Sequence, residues 1–132
     1  MRIEEYRTYC GAEIVALYHS VGWTAYTDEP ETLEKGFANS LLTLAAYEGD
    51  SLLGIVRTVG DGETVVLVQD ILVRPEQQRK GIGTALLQAV LDAYPRVRQI
   101  QLVTDRTEKT TMFYRSMGFQ TLEELGCCGF MK

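Results

Sequence analysis

Residues suited to covalent or metal chemistry are scarce in this chain. Its 132 residues include three cysteines, three prolines, one histidine and one tryptophan. Cys10, Cys127 and Cys128 are an odd set with an adjacent pair, which is no disulfide framework, and no Cys/His spacing marks a zinc site. Free thiols in a reducing compartment are expected, and with them a cytoplasmic location and no metal. The opening MRIEEYRTYC has no apolar core, so no signal peptide is expected. No apolar run approaches the ~20 residues that cross a bilayer, so no membrane partner is expected either. Positive charge is also short: the formal net charge is -5, which argues against a nucleic-acid partner that needs a basic stripe. Two nucleotide-binding signatures are missing as well. There is no GxxxxGK[ST], and after Gly81 and Gly83 a Rossmann fingerprint would need glycine where Leu86 stands.

What is present is an ordinary globular composition, with 45% apolar and 23% charged residues, enough for one domain spanning residues 1–132 around one core. Ile14, Leu17, Tyr18 and Val21 recur at helical spacing over residues 12–21, and Gly22 suits a left-handed end. A loop, WTAYT, is expected next. Asp28, Pro30 and Glu31 then start a helix reaching about Ser40, with Leu33 and Phe37 inward.

Residues 41–48, 51–59 and 63–73, separated by Gly49-Asp50 and Gly60-Asp61-Gly62, read as an antiparallel meander. Its third strand is apolar on both faces. Strict alternation puts Val65, Leu67, Gln69, Ile71 and Val73 on one side and Val66, Val68, Asp70 and Leu72 on the other. Ile82, Ala85, Leu86, Ala89 and Val90 make a further helix, ending near Tyr94-Pro95, and residues 98–105 another strand, parallel to the third. Asp105 and Glu108 suit a capping box for a last helix. Gly118 would close it, with Phe119 folded onto Phe113. The tail, with Gly126 and Gly129, is expected to add short closing strands. The class is α/β: a mixed sheet, antiparallel meander plus a parallel β-loop-α-β unit, with helices on both faces.

The most informative stretch is VRPEQQRKGIGTALL, residues 73–87. It leaves a doubly buried strand through a polar loop and starts a helix through two glycines. At a helix N-terminus several N–H groups lack partners, and the macrodipole adds about half a positive charge. Glycines let such groups converge on an anion and keep Cβ atoms out of its way. The backbone of residues 79–84 therefore suits a diphosphate, with Arg79 and Lys80 adding charge.

The pattern Gln78-x-x-Gly81-x-Gly83 after Ile71-Leu72-Val73, followed by Phe113-Tyr114-x-x-x-Gly118-Phe119, resembles the GNAT superfamily of N-acetyltransferases in order and spacing. The resemblance spans nearly the whole chain and implies the GNAT fold, with acetyl-CoA as cosubstrate. It implies that the main chain of Ile71, Leu72 and Val73 pairs with the pantetheine arm. Arg79, Lys80, Gly81, Ile82, Gly83 and Thr84 would cradle the pyrophosphate. Thr107 would stand where relatives often carry a cofactor-contacting Asn.

Acetyl transfer to an amine needs a donor for the carbonyl oxygen and a proton for the departing thiolate. The main-chain N–H of Leu72 or Val73 is assigned to the first and Tyr114 to the second. Trp23 and Tyr26, with Gln69 on the central strand, are candidate contacts to the acceptor, a primary amine of a small molecule or protein. Gln69 is no base, so a water chain is expected to take the amine's proton. Open edges of such a sheet leave a homodimer open. The competing reading is a non-catalytic acyl-CoA sensor.

Overall fold

The computed structural model describes residues 1–132. Five strands, β1 (Arg2–Glu5), β2 (Leu42–Glu48), β3 (Ser51–Gly60), β4 (Val65–Val73) and β5 (Gln99–Leu102), lie in sequence order across one sheet. The first four pair antiparallel and β5 joins β4 in parallel. The helices are α1 (Gly11–Ser20), α2 (Thr24–Thr27), α3 (Pro30–Ala38), α4 (Ile82–Ala93) and α5 (Glu108–Ser116).

Apolar side chains cover the sheet on both sides. On one face Ile14, Leu17, Tyr18 and Leu33 from α1 and α3 pack on Ala45, Leu52, Ile55 and Leu72. On the other, Ile82, Leu86, Leu87 and Val90 of α4 pack on Ala46, Leu53, Val56, Val66 and Val68. Leu87, left off the expected stripe, is fully buried. The parallel β4–α4–β5 unit thus leaves α4 on one face and the N-terminal helices on the other, as the α/β pattern predicts.

Several expectations need correction. The N-terminal residues form an edge strand, β1, whose charged sequence RIEE hides it from an apolar pattern; charge is also what keeps an open edge from pairing further. The WTAYT loop contains the short helix α2. Thr107, not Asp105, caps α5: its side chain accepts from the Thr110 N–H at 3.2 Å. Phe119 packs on Tyr114 (ring centroids 5.9 Å apart) rather than on Phe113. No strand follows Leu102; the tail turns back on itself through Leu122–Gly126 and leaves Phe130 96% exposed.

The consequential difference lies in β4. Arg57 pairs with Asp70 but Thr58 pairs with Val68, so Gln69 is an extra residue opposite β3. Such a bulge reverses the facing of everything beyond it. Val66 and Val68 therefore share the α4 side with Ile71 and Val73, while Asp70 and Leu72 turn towards α1. Gln69 does not share a face with Ile71, contrary to simple alternation.

Candidate active site

Beyond Val68, β4 has no partner on its β5 side, because the parallel pairing stops at Val68 with Leu102 while β4 runs on to Val73. The two strands diverge there, and a cleft of about 470 Å³ opens between β4, the loop before α4, and α5. Its walls include Trp23, Val73, Gly83, Thr84, Phe113 and Tyr114.

The β4 edge facing the cleft follows from the ladder. The Arg74 N–H donates to the Leu53 carbonyl at 2.8 Å, and hydrogen-bonded pairs alternate along an antiparallel ladder. Leu72, opposite Ile55, therefore turns its N–H into β3, whereas Ile71 and Val73 turn theirs outward. The Val73 carbonyl on that side accepts from Gln78 Nε2 at 3.2 Å. Of the two residues named for the oxygen-binding N–H, Leu72 is thus spent inside the sheet and Val73 is free, with Ile71 beside it.

The start of α4 supplies the second wall. A short 3-10 turn, Pro75–Gln77, carries the chain from β4. Arg79 then adopts φ +65°, making it the one non-glycine residue in the left-handed region, and Gly81 follows at φ +82°. Left-handed residues set between ordinary ones point successive N–H groups at a common centre. The first helical bond of α4 runs from Ala85 to the Gly81 carbonyl, and the N–H groups of residues 79–84 donate to no protein acceptor. Gly81 is required by its conformation. Gly83 is not: a Cβ there would meet only Phe113 at 3.8 Å and Val73 at 4.0 Å, ordinary contacts. Its missing side chain leaves space at the mouth of the donors. The left-handed Arg79 costs roughly 1–2 kcal/mol, a strain found mostly where function requires it.

Side chains in this loop contribute unequally. Arg79 and Thr84 line the cleft, Ile82 is buried under α4, and Lys80 reaches to Gln77 Oε1 at 3.4 Å. Thr107 lies outside the lining, its hydroxyl held by the α5 cap. In its place Lys109, Thr110 and Phe113 of α5 face the cleft. Lys109 with Phe113, and Thr110 with Tyr114, are four residues apart, the spacing of neighbours on a helix surface and a signal present in the sequence. Tyr114 is wedged between Phe113 and Phe119, with ring centroids at 4.9 and 5.9 Å. Burial pushes its phenol above the usual tyrosine pKa, so it stays a proton donor throughout the neutral range.

At the far end, Trp23 lines the cleft and stacks on Tyr26 (6.0 Å, 28°). Tyr26 and Gln69 sit just behind it, outside the lining. Behind them is a group that pattern reading missed. Arg57 and Asp70, with side chains 7% and 1% exposed, form an ion pair at 2.8 Å. Asp70 also accepts from the Tyr18 hydroxyl at 2.8 Å and the Tyr26 hydroxyl at 3.0 Å. Burial first, and then the Asp70 charge, drive the Tyr18 phenol far upward, so it remains a donor. A lone Arg and a lone Asp facing each other across the β3–β4 turn, each in an apolar strand, were the available signal. Asp70 is therefore fully engaged and offers the cleft no free carboxylate. No group of three or more metal-ligating side chains occurs, and no helix is long and apolar enough to cross a membrane.

A mixed sheet that splits beside a glycine-rich helix start makes a cleft whose free N–H groups suit an anion, and comparison with known proteins gives the family. The acetyltransferase (GNAT) domain family matches residues 38–121. A solved GNAT-family acetyltransferase from Streptococcus pneumoniae is 39% identical, with a TM-score of 0.91 over 99% of this chain and 96% of that one. A ycf52-like N-acetyltransferase of Prochlorococcus marinus is 29% identical over 86% of this chain. An acetyltransferase of Gibberella zeae is 32% identical over 54% of it. The chain spans 64% and 41% of the length of these two curated relatives. It belongs to the GNAT family of acetyltransferases.

Proposed function

We propose that residues 1–132 act as one domain that transfers the acetyl group of acetyl-CoA to a primary amine of a small molecule or protein. The observation that carries this reading is the run of unpartnered N–H groups from Arg79 to Thr84, set in one cleft with the free edge of β4 and with Tyr114. The donors suit two linked phosphates, and the edge of Ile71 and Val73 suits the amides of a pantetheine arm. Tyr114 then stands at the sulfur end.

The chain's residues meet three demands. The Val73 or Ile71 N–H stabilises the carbonyl oxygen as it gains charge. The Tyr114 hydroxyl protonates the departing thiolate, its raised pKa keeping the proton available. For a lysine-like acceptor of pKa ~10.4, deprotonation at neutral pH costs between about 4 and 5 kcal/mol. With Asp70 locked to Arg57, the proton leaves through water rather than to a carboxylate in the cleft.

That same locking favours a second reading, a non-catalytic acyl-CoA sensor. Mixing the protein with acetyl-CoA and a panel of amines, and following free thiol, separates the two. Amine-dependent thiol release is the outcome expected of the enzyme. Tight binding with no release for any amine would leave only the sensor.

A further inference from the structure

The chain of hydrogen bonds from Arg57 outward has a direction. A carboxylate paired with a guanidinium only accepts, so both hydroxyls touching Asp70 spend their protons on it. Tyr26 has one such proton, given to Asp70 Oδ1 at 3.0 Å. What its oxygen still offers is a lone pair. The Gln69 amide lies 3.4 Å from that oxygen and must approach with its NH2 group, because two acceptors cannot face each other. Amide orientation is normally ambiguous, and such a network is what resolves it. Gln69 Oε1 is consequently the end left facing outward. It has no protein partner, on an exposed residue two positions before Ile71, or about 6–7 Å along the strand. Tyr26 is anchored on the other side by Trp23, whose ring lines the cleft.

We propose that Gln69 Oε1 binds the N–H groups of the acceptor amine, and that Arg57 and Asp70, acting through Tyr26, are positioning residues that hold the amide in this orientation. The inference rests on the acetyltransferase reading and deepens it. The polarity selects: an amine or ammonium finds an acceptor, while a carboxylate or phosphate of the same size meets a lone pair. A free glutamine would turn its NH2 to such an anion; one held by Tyr26 does not. Gln69 thereby binds the amine without acting as its base.

Two measurements test this. In the first, the Gln69 side-chain amide is followed by NMR in the intact protein. Nuclear Overhauser contacts from its NH2 protons to the Tyr26 ring are expected. Butylamine should shift its resonances saturably and butyrate should not, and Tyr26→Phe should abolish the discrimination. Butyrate acting as well as butylamine, or an amide with no contact to Tyr26, overturns the proposal whether or not the protein is an enzyme. In the second, Gln69→Leu and Tyr26→Phe should each raise KM for the best amine of the panel about tenfold, the range of one hydrogen bond. KM for acetyl-CoA should stay within about twofold, a split that a merely structural role would not produce. Unchanged amine KM values with intact turnover overturn the proposal and leave the acetyltransferase reading standing. Absence of turnover with every amine overturns that reading instead, and the NMR result still decides the orientation of the amide.

Discussion

The two ends of the cleft are built on opposite plans. At the proposed phosphate end, consecutive residues supply the groups, and they do it with the backbone: residues 79–84 present unpartnered N–H groups because two positions are left-handed and α4 begins there. At the proposed amine end only Trp23 lines the cleft; behind it residues 18, 26, 57, 69 and 70 form a side-chain network tied together by one buried carboxylate. Main-chain donors recognise a phosphate whatever the neighbouring side chains are. A side-chain network is specific in its polarity but fails as a unit. The comparison teaches that, on the proposed reading, cofactor capture would be local and robust while acceptor choice would be distributed and fragile.

The largest expected effect breaks the fragile end. Asp70→Ala leaves the Arg57 guanidinium buried without a counter-charge, and removing one partner of such a pair costs about 3–5 kcal/mol. Chemical denaturation measures it; a loss below about 1 kcal/mol would mean that the pair behaves like a surface bridge and that the amine end is not a unit. Next in size is Tyr114→Phe, between the two ends. Turnover should fall by about 100-fold or more, the usual worth of a general acid, while acetyl-CoA affinity measured by calorimetry changes little. Because burial raises the Tyr114 pKa above 10.0, the wild-type rate should show no decline from loss of this acid below pH 10.

A smaller change sharpens the other half of the comparison. Gly83→Ala places a methyl group in ordinary contact with Phe113 and Val73, and alanine favours the helix by about 0.5–1 kcal/mol. The variant should be as stable as the parent or more so, yet bind CoA about tenfold more weakly, as expected if the methyl costs the pyrophosphate one hydrogen bond to the main chain. Undiminished binding would show that the cleft does not hold a pyrophosphate against these donors.

The smallest effect concerns a contact outside both ends. Arg115 and then Thr121 hold the Glu124 carboxyl at about 2, against 4.5 in an unfolded chain. Its contribution is thus complete above pH 4.5 and is lost as the pH falls through 2, so the tail should stay clipped to α5 in mild acid. A Glu124 titration midpoint near 4.5 by NMR would place the tail free of the helix.

How much of this was legible depended on whether the information was contiguous. The order of elements from α1 to α5 apart from the short α2, the parallel β4–β5 unit and the glycine loop all lie in short windows, where periodicity and turn chemistry apply directly. The bulge at Gln69 does not: it exists because Arg57 must meet Asp70 while Thr58 meets Val68, a condition set by β3 and by the packing of α1 above it. Alternation therefore placed Ile71 on the wrong face. The expected cap at Asp105 failed for a related reason, since Thr107 offers the same chemistry two residues nearer the helix. The tail, read as closing strands, finds no strand partner in the fold.

The amino-acid sequence alone determined that a helix would begin at Gly81 with free N–H groups beside a doubly buried strand, because backbone conformation there is dictated by residues a few positions apart. Only the tertiary structure decided which N–H of β4 faces the cleft and which end of the Gln69 amide meets Tyr26. Both depend on a ladder register and a buried charge pair, and each is formed between residues that meet only when the sheet is assembled.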